Sequence, residues 1–124
     1  MDLKELLLKD LSARLPYGVI CRTSHTNESS LTELDVENEC AYFEDCDENI
    51  LIIDIKPYLR PMSSMTEEEI KELSEIDQKR IIFSARHLTW HLDGEVIDYL
   101  NKKMLDWRGL IHLGLALAAP KGMY

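Results

Sequence analysis

An α+β fold is what this sequence predicts, and three features predict it. Leucines recur every four residues at the N-terminus. Short β-rich runs separated by turn-forming residues fill the rest of the first half. Helical signals return after residue 65. Strands gathered in one half and helices in the other make a segregated pattern rather than an alternating one, which is the α+β case. The 124 residues leave room for one domain. Within it, 1–55 read as a helix plus strands, 56–65 as a Pro/Ser connector and 66–124 as a helical half.

Leu3, Leu7, Leu11 and Leu15, with Leu6 beside them, predict one face of an amphipathic helix over 2–15. Pro16-Tyr17-Gly18 ends it, because Pro disfavours helix at the preceding residue and Gly turns freely. Gly18–Ser24 (GVICRTS) reads as a strand and His25–Ser30 as a polar loop. In residues 31–36 (LTELDV), Leu31 and Leu34 break strict alternation, which calls for a bulge or an early end. Cys40–Phe43 is a further short strand and Asp45–Asn49 a turn. Asn49–Ile55 (NILIIDI) is the strongest strand, closed by Pro57. Loops this short suit antiparallel strands, since a parallel crossover takes about a dozen residues or more. The expectation is a small antiparallel sheet of three to four strands.

Two prolines bar regular helix from Lys56–Met65. Thr66 then reads as an N-cap, with Glu69 completing a capping box and Met65 and Ile70 at the staple positions. Glu67, Glu68 and Glu69 suit the positive end of the helix dipole. Ile70, Leu73 and Ile76 form the expected buried face. Ile81, Ala85, Leu88 and Leu92 predict a helix over 79–92, and Val96, Ile97, Leu100 and Met104 the stripe of another over 95–105, capped by Asp93. The last fifteen residues, LIHLGLALAAPKGMY, are too apolar to hang in water. They are expected to pack on the domain, with Trp107 largely buried at their start.

Charge is unevenly spread. The net charge is −9, yet residues 25–55 hold ten acids and no Lys or Arg. That region repels phosphate backbones, so direct nucleic-acid binding through it is not expected. Lys79, Arg80, Arg86, Lys102, Lys103 and Arg108 offer a counterpart to it, in the same chain or in a second copy. No window holds 18 consecutive apolar residues, so no membrane-spanning helix is expected. Charges punctuate the N-terminal MDLKELLLKDL, which is not a secretory-signal pattern. Cys21, Cys40 and Cys46 are odd in number and irregularly spaced, the usage of reduced thiols in a cytoplasm. A Cys40–Cys46 disulfide would close a short acidic loop with little entropic gain.

Two segments carry a resemblance: KPYLRPMSSMTEEE (Lys56–Glu69) and DWRGLIHLGLALAAPKGMY (Asp106–Tyr124), together 33 of the 124 residues. They resemble a family of short uncharacterised proteins of gut Bacteroidales and their phages and mobile elements. Trp107 stands where that family more often has Tyr. The resemblance implies a bacterial or phage cytoplasmic setting and carries no activity with it.

No residue pattern calls for catalysis, a cofactor or a metal. Asp45-Cys46-Asp47-Glu48-Asn49 starts like a calcium loop, but Ile50 and Lys56 occupy the positions where an EF-hand needs Gly and Glu. His87 and His91 are spaced to share a metal on a helix, yet Leu88 replaces the Glu of the zinc-hydrolase motif. Ser63 and Ser64 lack a Gly-x-Ser-x-Gly elbow and read as local hydrogen-bonding groups. The five glycines are too scattered to cradle a phosphate.

The residues singled out instead suit a partner surface. Tyr58, Arg60, Trp107 and Arg108 are the residue types of interface hot spots, with closure of the sheet–helix seam as the structural alternative for Tyr58 and Trp107. Glu44, Asp45, Asp47 and Glu48 lie in the acidic region. The reading is a non-enzymatic protein-binding or accessory factor with an unidentified, basic partner. The alternative is an acidic inhibitor whose carboxylates over 28–54 mimic a nucleic acid. A third reading is a small hydrolase using Ser64 or His91.

Overall fold

The computed structural model describes residues 2–76 and 94–124, together with the backbone of 82–83 and 88–89. The fold is α+β, as the segregated pattern predicts. Helix α1 spans Leu3–Arg14, with the Asp2 carboxylate accepting from the Glu5 N–H at 2.8 Å as its N-cap. A 3₁₀ turn, Leu15–Tyr17, follows and ends at Gly18, whose φ of +77° is left-handed. Strands β1 (Ile20–Arg22), β2 (Ser29–Asp35), β3 (Cys40–Phe43), β4 (Cys46–Leu51) and β5 (Lys56–Leu59) come next. Helix α2 covers Glu67–Ile76 and α3 covers Gly94–Lys102; between them β6 (Ile82–Phe83) and β7 (Leu88–Thr89) pair, and β8 (Leu117–Ala118) lies near the C-terminus.

The main sheet has six strands in the order β4-β3-β2-β1-β5-β8, more than the three to four expected. All neighbours are antiparallel except β5 and β8, which run parallel with Tyr58 opposite Leu117 and Leu59 opposite Ala118. The sixth strand comes from the tail, and the chain between β5 and β8 is long enough for a parallel crossover.

Three strand expectations meet different outcomes. The parity break in LTELDV is a β-bulge: the register shifts between Leu31 and Glu33, and the Thr32 hydroxyl donates to the Tyr42 carbonyl at 3.1 Å. The extra residue restores Leu31 and Leu34 to the same core. The turn expected over 45–49 shrinks to Glu44-Asp45, because Phe43 already pairs with Cys46. The strand expected over 49–55 stops at Leu51, and Ile52–Asp54 form a 3₁₀ turn closed by the Ile55 N–H on the Ile52 carbonyl. A threefold period places Ile52 and Ile55 inward, each 1% exposed, and throws Ile53 out to 72%.

The helices need corrections too. The buried face of α1 is Leu7, Asp10, Leu11 and Arg14, while Leu3 is half exposed. The stripe is rotated because a buried ion pair shares it. On α2 only Leu73 of the expected three is buried; Ile70 and Ile76 are exposed. The helix expected over 79–92 lies mostly outside the described residues. Inside that span Ile82 pairs with Thr89 and Phe83 with Leu88 as strands, since β-branched and aromatic residues compete well against a short helical period. Helix α3 ends earlier than expected, in a Schellman motif: Leu105 N–H bonds the Leu100 carbonyl and Met104 N–H the Asn101 carbonyl. Met104, not Gly, takes the left-handed position at φ +57°. Its side chain is only 1% exposed, so burial holds a residue that local sterics disfavour.

Two apolar clusters form the core. The larger joins α1, the sheet and the tail through Leu11, Val19, Leu59, Met104 and Leu110, among others. The smaller gathers Leu73, Val96, Leu100 and Leu105 between α2 and α3, with Trp107 against it. The tail does pack: Leu110 and Ala116 are buried, but Leu113 is exposed and Trp107 only half-buried.

Candidate functional site

The two segments that carry the resemblance, far apart in sequence, meet in space. Besides the β5–β8 pairing, the Arg60 N–H donates to the Met104 carbonyl at 2.7 Å and the Asp106 N–H donates to the Arg60 carbonyl at 2.8 Å. The Ala119 N–H closes on the Leu59 carbonyl. The Tyr124 hydroxyl, from the last residue of the chain, accepts from the Ile20 N–H at 2.9 Å and donates to the Tyr58 carbonyl at 2.8 Å. It bridges β1 and β5 just beyond their paired residues, and burial raises its pKa.

Arg60 is the hub of this seam. Its guanidinium forks onto Glu69 at 2.6 and 2.8 Å and also donates to the carbonyls of Ser64 and Lys103. The Lys103 carbonyl lies just past the C-terminus of α3, where a cation is favoured. Glu69 accepts in addition from the Thr66 N–H at 3.0 Å, while the Glu69 N–H donates to the Thr66 hydroxyl at 3.1 Å, the reciprocal capping box expected from the sequence. The Arg60 hydrogen bonds, ahead of those from Thr66, hold the Glu69 carboxyl at about 2. One side chain thus ties β5, the start of α2 and the end of α3.

A second polar knot lies deeper. Asp10 and Arg14, both fully buried, pair at 2.9 Å, and Arg14 donates to the Leu105 carbonyl at 2.8 Å. Arg108 Nε approaches Asp10 Oδ1 at 3.3 Å. Burial raises the Asp10 pKa, against the pull of Arg14. Sequence reading missed this pair; the signal was an acid and a base four residues apart on α1. Asp106 accepts from the Leu110 and Ile111 N–H groups at 2.8 and 2.9 Å, fixing the turn after α3. Trp107 donates its indole N–H to Asn101 Oδ1 at 2.9 Å, and the Arg108 guanidinium stacks on its ring at 4.2 Å.

The eight residues proposed for a partner surface therefore fall into two groups. Tyr58, Arg60, Trp107 and Arg108 are engaged within the chain; the Tyr58 hydroxyl donates to the Asn27 carbonyl at 3.1 Å. Glu44, Asp45, Asp47 and Glu48 are all exposed. They occupy the β3–β4 turn and β4, the outermost strand of the sheet. Glu28, Glu33, Glu37 and Glu39 are exposed on and around the neighbouring strands. Lys4 reaches Glu39 at 2.7 Å, and His25 lies 3.6 Å from Glu48.

A cleft of about 650 Å³ opens beside the seam, between the start of α2 and the tail. Glu68, Glu72, Lys103 and Lys121 are among the residues that line it. Arg60 and Glu69 also line it but are already paired, and the Ser64 hydroxyl donates to the Pro61 carbonyl at 2.6 Å. Among the described residues that line this cleft there is no His or Cys beside that serine. Among the described residues no three His, Cys, Asp or Glu side chains are grouped to hold a metal; His87 and His91 lie outside them. Cys21 and Cys40 are buried and Cys46 half-buried, all as free thiols. Among the described residues no helix is long and apolar enough to cross a membrane.

No protein-family model, curated protein or solved structure matches the chain.

Proposed function

We propose that this is a non-enzymatic protein-binding or accessory factor of a bacterial mobile element or phage, acting in the cytoplasm, and that it docks a basic partner on the acidic side of its sheet. The observation that carries this reading is the exposure of Glu44, Asp45, Asp47 and Glu48 on the outermost strand and its turn. An outermost strand offers unpaired backbone groups, and carboxylates beside it favour an extended segment rich in Lys and Arg. Like charges concentrated in residues 25–55 also steer a cationic partner before contact. The large planar side chains of the resemblance segments serve the seam on this reading, not the partner.

The second reading, an inhibitor that mimics nucleic acid, draws on the same carboxylates, because the exposed acids extend across β2 and β4 instead of forming one spot. Salt separates the two. Partners recovered from a bacterial host are eluted with a salt gradient and compared with a Glu44/Asp45/Asp47/Glu48→Lys variant. A basic partner that is lost with the four charges supports docking on this side. Competition with DNA or RNA for that partner moves the assignment to mimicry. Partner binding that survives the charge reversal refutes both.

A further inference from the structure

We infer that the face around Ile53 joins two copies of this chain in an isologous dimer; this goes beyond the proposed partner surface and does not depend on it. The 3₁₀ turn after β4 leaves Ile53 72% exposed, the most exposed large apolar side chain among the described residues. Directly beside it is an apolar groove of about 340 Å³. Leu7, Ile52 and Ile55, all at most 4% exposed, contribute to it alongside Leu3 and Leu115. Knob and hole therefore sit side by side on one patch. That is what a twofold interface requires, because each copy must present both members of every contact. Ile53 of one copy can enter the groove of the other while its own groove receives the second Ile53.

The charges around the knob agree. Ile53 and Lys56 line both the groove and a smaller depression on the other side, which Asp54 and Arg22 share. Neither Asp54 nor Lys56 has a side-chain partner among the described residues. An acid and a base flanking one apolar knob are self-complementary across a twofold axis: Asp54 of each copy meets Lys56 of the other. Lys4 at the groove is already neutralised by Glu39. The patch is thus close to neutral on a molecule of net charge −9, and two copies can approach there with the least repulsion. A standard interface takes about 800 Å² from each partner, about a tenth of the 7727 Å² surface.

Sedimentation equilibrium of the full chain tests this. The wild type should behave as a dimer that dissociates on dilution. Ile53→Asp, at an exposed position that leaves folding intact by circular dichroism, should weaken association by about tenfold or more, the loss of one anchoring side chain. Lys56→Asp should weaken it too, and adding Asp54→Lys should restore it by reversing both cross-pairs. A wild type that stays monomeric at its highest soluble concentration overturns the inference, as does a dimer indifferent to Ile53→Asp. A monomer whose groove binds a hydrophobic dye also overturns it and assigns the groove to another occupant. A double charge reversal no tighter than the single one overturns the cross-pairing.

Discussion

Replacing Arg60 with Met keeps the length of the side chain and removes every hydrogen bond that its guanidinium makes at the seam. Two bonds to Glu69 and two to backbone carbonyls are lost. Glu69, 8% exposed, keeps its charge and only the Thr66 N–H to satisfy it. Breaking a buried ion pair from one side costs about 3–5 kcal/mol. Here the two side chains retain 19% and 11% exposure, so water compensates in part and the lower end applies, about 3 kcal/mol. With a urea slope of about 1.5 kcal/mol/M for a chain of this size, the denaturation midpoint should fall by about 2 M. The double variant Arg60→Met/Glu69→Leu should be more stable than Arg60→Met alone, because the stranded carboxylate is gone; a coupling of about 2 kcal/mol is expected from the cycle. If Arg60 instead faced a partner, its loss would leave stability within about 0.5 kcal/mol of wild type, as at ordinary surface sites. That result would refute the structural role assigned to the seam.

The remaining predictions use the same structure. Thr66→Ala should cost about 1 kcal/mol by chemical denaturation, the loss of a cap, and an unchanged midpoint would contradict the capping box. Tyr124→Phe should cost about 1 kcal/mol, since the Ile20 N–H and Tyr58 carbonyl lose their shared partner; truncation after Leu105 should leave the chain molten or insoluble, because Leu110 and Ala116 belong to the main core. Glu69, held at about 2 against an ordinary 4.5, gives stability that is complete above about pH 4.5 and fades as pH falls towards 2. Asp10, with its pKa raised by burial, acts in the opposite sense and favours the fold more as it protonates. Glu69→Gln should therefore flatten the acid limb of a stability–pH curve, and a limb as steep as wild type would rule Glu69 out as its source. A thiol reagent should label Cys46 first in the native protein, with Cys21 and Cys40 reacting only after unfolding.

Local chemistry was legible in the sequence wherever a few neighbouring residues decide the outcome. The Thr66/Glu69 box, the bulge forced by Leu31 and Leu34, the strand Cys40–Phe43 and the α+β class all rest on propensity, capping and parity. These act within a few residues of chain. What the sequence could not supply was the placement of groups distant along it. Asp10 and Arg14 look like a solvent-exposed helix pair until Leu105 and Arg108 close over them. Arg60, Trp107 and Arg108 have the composition of a binding surface, yet Glu69 and Asn101 take up the donors of the first two, and Arg108 stacks on Trp107 with its charge beside Asp10. Met104 adopts a conformation that its own sterics oppose because the core rewards burying it. The strand expected over 49–55 bends at Ile52 because the Ile52 N–H finds the Glu39 carbonyl and both Ile52 and Ile55 find the core. In each case the deciding partner is contributed by a segment brought near only by folding. Burial and pairing energies between such segments exceed the few tenths of a kcal/mol by which local propensity distinguishes one conformation from another.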